Sequence, residues 1–372
     1  MNIGIDARVL ERKITGIGRF LSDLLEQIPA IDANNRYFLF SYGKLDVGNG
    51  RYHSVSTVAR FKSSKLYSPI WLLNVLPRQL RNHKIDILFS ANFLAPPRRT
   101  TKHWKSIVVV CDAFVKLEVR YFSVPYIMYV NALLSRSIEQ SSAIVTISAH
   151  SKKDLVRYYG VNPQKIHVIY PSAGAHFRPQ QPSDSRRSEI MKHFSLPDKF
   201  ILSVGVVELR KNVIGLTRIA DILKRKGIDI PIVLIGGPGF GFKEIMKAVN
   251  ARDNILYLSR VGEEYLPEIY QMASVFVFPS YYEGFGIPPL EAMQSGIPVV
   301  TSNTSSLPEV VGEAGSMFHP DDGEGFANEI IRLLQDREYH KRKSDSGIAQ
   351  ARKFNAFDSA SALVQLFTTV GS

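Results

Sequence analysis

The stretch SVFVFPSYYEGFGIPPLEAMQSGIPVVTSN, residues 274–303, holds the fold in miniature. Its first part, SVFVFPS (274–280), is a near-continuous apolar run, as expected of a strand buried on both faces. The run stops at Pro279, and the loop Glu283-Gly284-Phe285-Gly286 follows. Pro288 suits the first turn of a helix, where its missing N–H would have no partner anyway. The helix runs to Ser295, and Gly296 ends it. A second buried strand follows in IPVVTSN (297–303). Strand, helix and strand in this order make a parallel βαβ unit.

The alternation extends outward from this stretch. Upstream lie FILSVGV (200–206), IPIVLIGG (230–237) and NILYLSRV (254–261), with helical patterns between them. Further back, PQQPSDSRRSEI (179–190) is rich in Pro, Ser and charge and reads as a linker. Before it the pattern runs through IGIDA (3–7), IDILFSA (85–91), SIVVVCDA (106–113), AIVTISA (143–149) and KIHVIYP (165–171), with GRFLSDLLEQI (18–28) as one of the helices. The predicted fold class is α/β: two Rossmann-like doubly wound domains facing each other across a cleft. The first spans 1–178 and the second 191–354, with 179–190 between them and a last helix, 355–372, packing back on the first.

A length of 372 residues suits two domains. Hydrophobic residues at 45% and charged residues at 22% exclude disorder, collagen and coiled coil as whole-chain descriptions. One cysteine, Cys111, excludes a disulfide framework and a multi-cysteine metal site. The opening MNIGIDARVL reads as a strand rather than a signal peptide, and no apolar run reaches 18 residues, so no spanning helix is expected.

The net charge of +12 is unevenly placed. Residues 1–185 hold 25 Lys and Arg against 12 Asp and Glu, whereas residues 186–372 hold 21 against 22. A basic first half predicts an anionic partner. The segment FKSSKLYSPIWLLNVLPRQLRNHK (61–84) mixes basic residues with Tyr67, Trp71 and leucines, a pattern suited to a membrane surface as well as to an ordinary amphipathic helix. A polyanion-binding protein is the non-enzyme alternative. The absence of helix-turn-helix, RRM and zinc signatures argues against nucleic acid.

The chemistry concentrates in three loops. Glu283 and Glu291 flank the start of the helix that carries Pro288. The backbone N–H groups of Phe285, Gly286 and Ile287 at such a start bind phosphate. Carboxylates beside a phosphate site need other partners, and sugar hydroxyls provide them. In VGVVELRKN (204–212), Arg210 and Lys211 precede an amphipathic helix and could neutralise a diphosphate, although a basic pair in a loop is often just a solvated turn. In ITGIGRF (14–20), Gly16 and Gly18 permit close backbone approach to a ligand. The third glycine and the acidic residue of a dinucleotide fingerprint are missing, which argues against a dehydrogenase. No Asp-x-Asp and no histidine cluster points to a metal.

Taken in order, these pieces resemble the retaining glycosyltransferases of family 4, with the GT-B fold. EGFGIPPLE (283–291) looks like that family's E-x7-E motif, and TGIGRF, VGVVELRKN, the stretch 143–172 and GIPVVTSNTSSLPEVVGEAG (296–315) extend the match over most of the chain. The likeness is greatest to bacterial mannosyltransferase-type enzymes of surface polysaccharide synthesis. It implies that Glu283 contacts donor-sugar hydroxyls, that Phe285, Gly286 and Ile287 hold the sugar and diphosphate, and that Glu291 binds the ribose. Lys211, with Arg210, would neutralise the diphosphate. Gly16 and Gly18 would cover it, and Arg260 and Val261 would meet the base. Lys211, Glu283 and Asp112 are the catalytic candidates.

The implied reaction is transfer of a hexose, mannose from GDP-mannose as first choice, to a lipid-linked saccharide in O-antigen, capsule or exopolysaccharide synthesis. Configuration would be retained, without metal or other cofactor. The protein would be cytoplasmic and peripheral at the inner face of the membrane. A UDP-sugar transferase and a nucleotide-sugar epimerase are the alternatives. Two positions depart from the family pattern. Cys111 stands before Asp112 where many members have His, and Val206 stands where many have Arg.

Overall fold

Buried Val, Ile, Leu and Phe runs form two all-parallel sheets in the structure, a computed structural model that describes residues 1–11, 15–45, 50–57, 67–96, 104–113 and 124–372. The chain divides into two units, Met1–Pro171 with Ala356–Ser372, and Ser172–Asn355. Among the described residues, no helix is long and apolar enough to cross a membrane.

The first unit contains β1 (Asn2–Asp6), β2 (Arg36–Ser41), β3 (Tyr52–Ser56), β4 (Ile87–Ser90), β5 (Lys105–Val109), β6 (Ala143–Thr146) and β7 (Ile166–Val168). Their order across the sheet is β3-β2-β1-β4-β5-β6-β7. The chain winds outward from β1 to β3, then restarts at β4 on the other side of β1. That reversal makes the β1/β4 junction a switch point, where such sheets bind ligands beyond their carboxyl ends. The helices Gly16–Ile31 and Ala356–Gly371 share one core with β1, through Leu21, Leu24, Leu363 and Phe367 against Ile3 and Ile5.

Two features of this unit qualify the sequence reading. The apolar residues of the 61–84 segment mostly face inward: Trp71, Leu72, Leu76 and Leu80 pack with Phe38, Phe40 and Leu88. Only Ile70 and Leu73, 51% and 42% exposed, remain for a lipid surface, and residues 61–66 lie outside the described residues. The helix here widens into a π-turn at Trp71–Val75 immediately before Pro77. A proline ring would collide with the carbonyl four residues back in a regular α-turn, and the wider turn relieves that collision. Trp71 then reaches the end of β1, where its ring lies 4.0 Å from the Arg8 guanidinium. Arg8 forks onto Asp6 through bonds of 2.8 and 2.7 Å, a fully buried ion pair.

The second unit contains β8 (Ile201–Val204), β9 (Ile232–Ile235), β10 (Ile255–Leu258), β11 (Val275–Phe278), β12 (Val299–Ser302) and β13 (Ser316–Phe318), in the order β10-β9-β8-β11-β12-β13. Its switch point lies between β8 and β11. The stretch read as a linker is not one. Residues 179–190 run into a helix, Asp184–Phe194, capped by Ser183 and pinned by Arg186, which forks onto Glu268 at 3.0 and 2.8 Å. Only Ile190 of that helix is buried, so its sequence carries almost no apolar period to announce it. The units divide at Pro171/Ser172, upstream of the predicted boundary at 178. The strands β2, β3 and β13 were not singled out from sequence. β3 and β13 are short, half-buried edges with weak apolar patterns.

Candidate functional site

Lys211 and Glu283 follow the two strands that meet at the switch point of the second unit. After β8 the chain makes a 3-10 turn, Leu209–Lys211, and Asn212 adopts the left-handed conformation at φ +51°. Asn tolerates that conformation better than most residues. Its side chain accepts from the Gly215 N–H at 3.0 Å, capping the helix Val213–Arg225, and donates to the Pro320 carbonyl at 2.8 Å. The cap holds Lys211 at the mouth of the sheet. After β11, the loop 279–286 carries Glu283 to the same place.

There the two residues form an ion pair. Lys211 Nζ lies 2.5 Å from Glu283 Oε1, and the Ser280 hydroxyl donates to the same oxygen at 2.7 Å. Arg210 Nη1 reaches Glu283 Oε2 at 3.4 Å and donates to the Tyr282 carbonyl at 2.9 Å. The other edge of the Arg210 guanidinium is held by Glu208, at 2.7 and 2.9 Å. Burial alone would raise the Glu283 carboxyl. Lys211 and Arg210 outweigh it and hold the group below its ordinary range, so it is ionised at neutral pH. Burial draws the Lys211 ammonium down, with Arg210 acting in the same direction against the pull of Glu283.

The helix Ile287–Gln294 begins beside this cluster. Gly286, which has no side chain to cap with, holds its N-cap position at φ +116°. A Cβ at Gly286 would stand 2.9 Å from Leu307 Cδ2, so both backbone angle and space require glycine. Serines after β12 brace the loop from below. Ser305 Oγ accepts from the Glu283 N–H at 2.9 Å. Ser306 Oγ lies 2.9 and 2.6 Å from the carbonyl oxygens of Glu283 and Phe285, sharing one proton between them. Within the helix, Glu291 is 3% exposed and accepts from the Tyr270 hydroxyl at 2.8 Å.

The structure therefore brings Arg210, Lys211 and Glu283 together, beside Gly286 and Ile287. Phe285 itself is buried, its ring edge-on to Phe354. Arg260 is exposed and Val261 half-buried in the loop after β10, two strands away from β8. Gly16, Gly18 and Asp112 belong to the first unit. Gly16 is exposed in the first turn of its helix. Gly18 is buried there, with its N–H on Thr15 Oγ1, and a Cβ on it would meet the Val9 carbonyl at 3.2 Å. Close packing of this helix on the preceding turn thus explains Gly18 without any ligand. Asp112 is half-buried just after β5. Burial pushes the neighbouring Cys111 thiol up, and the Asp112 charge pushes it further, away from a thiolate nucleophile.

Sequence reasoning missed Ser280, Ser305, Ser306, Asn212, Glu208 and Tyr270. Four had local signals: Asn212 precedes an apolar-periodic run, as an N-cap does, and Ser280, Ser305 and Ser306 lie just after the buried strands β11 and β12. Glu208 and Tyr270 had none, since their partners lie elsewhere in the fold or look like an ordinary charge pair. Among the described residues, no group of three or more His, Cys, Asp and Glu side chains could hold a metal ion.

Known proteins share this organisation. Residues 14–173 match the family described as Glycosyltransferase Family 4, and residues 186–350 match Glycosyl transferases group 1. The chain is 29% identical to the O-antigen chain mannosyltransferase B of Escherichia coli, over 95% of this chain and 96% of that protein. It is also 29% identical, over 71% of its length, to the Escherichia coli serotype-specific mannosyltransferase WbdA, of which it spans 33%. The sucrose-phosphate synthase structure from Thermosynechococcus elongatus shares the fold, with a TM-score of 0.78 at 19% identity over 99% of this chain and 98% of that one.

Proposed function

This chain belongs to the glycosyltransferases, with a family 4 domain and a group 1 domain in tandem, and from that premise we propose that it transfers a hexose from a nucleoside diphosphate to a lipid-linked saccharide, with retention of configuration. GDP-mannose is the proposed donor, supported by the mannosyltransferases among its relatives. The product would be a surface polysaccharide of the O-antigen kind. The observation that carries the reading is the buried Lys211–Glu283 pair at the β8/β11 switch point, beside a helix N-terminus whose N-cap is a glycine.

Each part of that arrangement has a task. The diphosphate meets the backbone N–H groups of Phe285, Gly286 and Ile287 at the helix start, Pro288 and Pro289 having none, and Lys211 and Arg210 serve as its counter-ions. Glu283, kept ionised by those same cations, accepts from hydroxyls of the sugar. Glu291 takes the ribose, and Arg260 and Val261 lie on the base side. Gly16, Gly18 and Asp112 are proposed ligand contacts within the first unit. The acceptor oxygen forms its bond to the anomeric carbon on the face from which the phosphate departs. The carbon–oxygen bond to phosphate breaks with its electron pair, and the acceptor's proton passes to the leaving phosphate. Charge grows on that phosphate as the bond stretches, where preorganised cations lower the barrier most. Two cations and a helix end supply this charge, so no metal is invoked.

The basic first half would face the acceptor. A lipid diphosphate at an anionic leaflet matches its excess of Lys and Arg, and exposed Arg78 and Arg81 continue the face begun by Ile70 and Leu73. The protein would then sit at the inner face of the cytoplasmic membrane without crossing it. Flotation with liposomes that is indifferent to anionic lipid would count against this attachment.

The donor is tested by thermal shift with GDP, UDP, ADP and their sugar conjugates. A ligand at about 100 times its dissociation constant stabilises by about 2.7 kcal/mol. Shifts with GDP compounds alone support the proposal, shifts with UDP compounds alone replace the donor and keep the site, and no shift with any nucleotide overturns the donor site. Release of nucleotide without acceptor, accompanied by sugar inversion, would instead mark an epimerase.

A further inference from the structure

We infer that Tyr270 is a positioning residue that aims Glu291 at the ribose of the donor. The inference rests on the reading of Glu291 as the ribose contact and adds the group that orients it.

Tyr270 lies in the helix Leu266–Met272 and is fully buried. Its ring is held between two others: Phe177 meets it edge-on at 5.3 Å, and Phe276 of β11 stacks on it at 5.6 Å with 27° between planes. A ring fixed on two sides presents its hydroxyl in one direction. That hydroxyl donates to Glu291 Oε2 at 2.8 Å, across from one helix to another.

The consequence concerns Oε1. The terminal torsion of a glutamate is broad and roughly two-fold, so the carboxylate plane is not set by the side chain itself. A bond from a fixed donor to one oxygen sets that plane, and the lone pairs of the other oxygen are then directed as well. A ribose offers two adjacent hydroxyls, and a single carboxylate distinguishes it from deoxyribose only when its direction is fixed. Sites built to bond a hydroxyl reject analogues that lack it much more strongly than apolar pockets do. Tyr270 also places the contact on a rigid element, since its ring is anchored to β11, the strand that leads to Glu283.

The experiment compares dissociation constants for GDP and 2′-deoxy-GDP by calorimetry in the wild type, Tyr270→Phe and Glu291→Asp. Phe keeps the stacked ring and removes only the hydroxyl. The wild type should prefer GDP by about tenfold, the upper scale of one hydrogen bond. In Tyr270→Phe the preference should fall to about twofold or less, with the affinity for 2′-deoxy-GDP nearly unchanged. Glu291→Asp withdraws the carboxylate, leaves the ring in place, and should lose the preference in the same way. A Tyr270→Phe protein with the wild-type ratio overturns the positioning role and leaves the nucleotide reading standing. A Phe variant too unstable to bind either nucleotide also overturns it, because the hydroxyl would then serve folding. A wild type that binds GDP with no preference over the deoxy form sinks the assignment of Glu291 itself.

Discussion

Replacing Glu283 with Gln removes one charge and almost no volume, and the structure sets what that should cost. The carboxylate is 5% exposed and faces Lys211 at 2.5 Å, Ser280 at 2.7 Å and Arg210 at 3.4 Å. Gln retains an acceptor for the serine but leaves Lys211, itself nearly buried, without its counter-ion. Breaking a buried pair by removing one partner costs about 3–5 kcal/mol. Arg210 keeps Glu208, and the loop can admit water, so the lower end of that range applies. At about 2–4 °C per kcal/mol for a unit of this size, melting should fall by about 6–12 °C. Turnover should fall about 10²–10³-fold, the scale for losing one preorganised contact. Binding of the nucleoside diphosphate should survive, because the diphosphate supplies Lys211 with the missing negative charge. Saturating GDP should therefore recover more melting temperature in the variant than in the wild type. Transfer of labelled mannose, calorimetry and melting curves measure the three quantities. Turnover within about threefold of wild type would refute the role given to this site.

Three further outcomes follow from other contacts. Burial raises the Glu283 carboxyl but Lys211 and Arg210 outweigh it, so its folded pKa lies below the ordinary 4.5. A depressed carboxyl contributes stability above its unfolded pKa and loses it as the pH falls through the folded one. The stability gap between wild type and Glu283→Gln in urea should hold steady at neutral pH and close only below 4.5, and closure near pH 6 would contradict the shift. Gly286→Ala must keep φ at +116° and admit a Cβ 2.9 Å from Leu307, which should cost about 1–3 kcal/mol and most of the turnover; a fully active, equally stable variant would show that the loop does not need this conformation. Asp6→Asn strands the Arg8 guanidinium beneath Trp71 and should cost about 3–5 kcal/mol in chemical denaturation, and a loss below about 1 kcal/mol would mean the pair is replaceable.

Much of this molecule was legible before any coordinates. Strands at the centre of a parallel sheet are buried on both faces, so ILFS (87–90), AIVT (143–146) and VFVF (275–278) advertise themselves as apolar runs. The start of the Ile287–Gln294 helix is equally local, since Pro288 and Gly286 each answer a backbone requirement at their own position. The misreadings arose where the signal was not local. The helix Asp184–Phe194 buries one residue and is held by an arginine fork to Glu268, so its sequence resembles a solvated linker. Trp71 among lysines and arginines looked ready for lipid, yet its ring is needed over Arg8 in the core. Gly18 also has a packing role that its sequence does not show, since a Cβ there would stand 3.2 Å from the Val9 carbonyl.

The sequence by itself determined two successive parallel α/β patterns, a basic first half and a glycine loop that sets Glu283 and Glu291 about a helix start. Those properties depend on composition, on periodicity and on residues a few positions apart. Only the tertiary structure decided that Lys211 and Glu283, 72 residues apart, form an ion pair, that Ser280 bonds its carboxylate while Ser305 and Ser306 hold the loop backbone, and that the Tyr270 hydroxyl bonds Glu291. The physical reason is the order of strands. Placing β11 beside β8 is a choice of long-range pairing, stabilised by burial across the whole sheet, and the site exists where that choice makes the two loops neighbours.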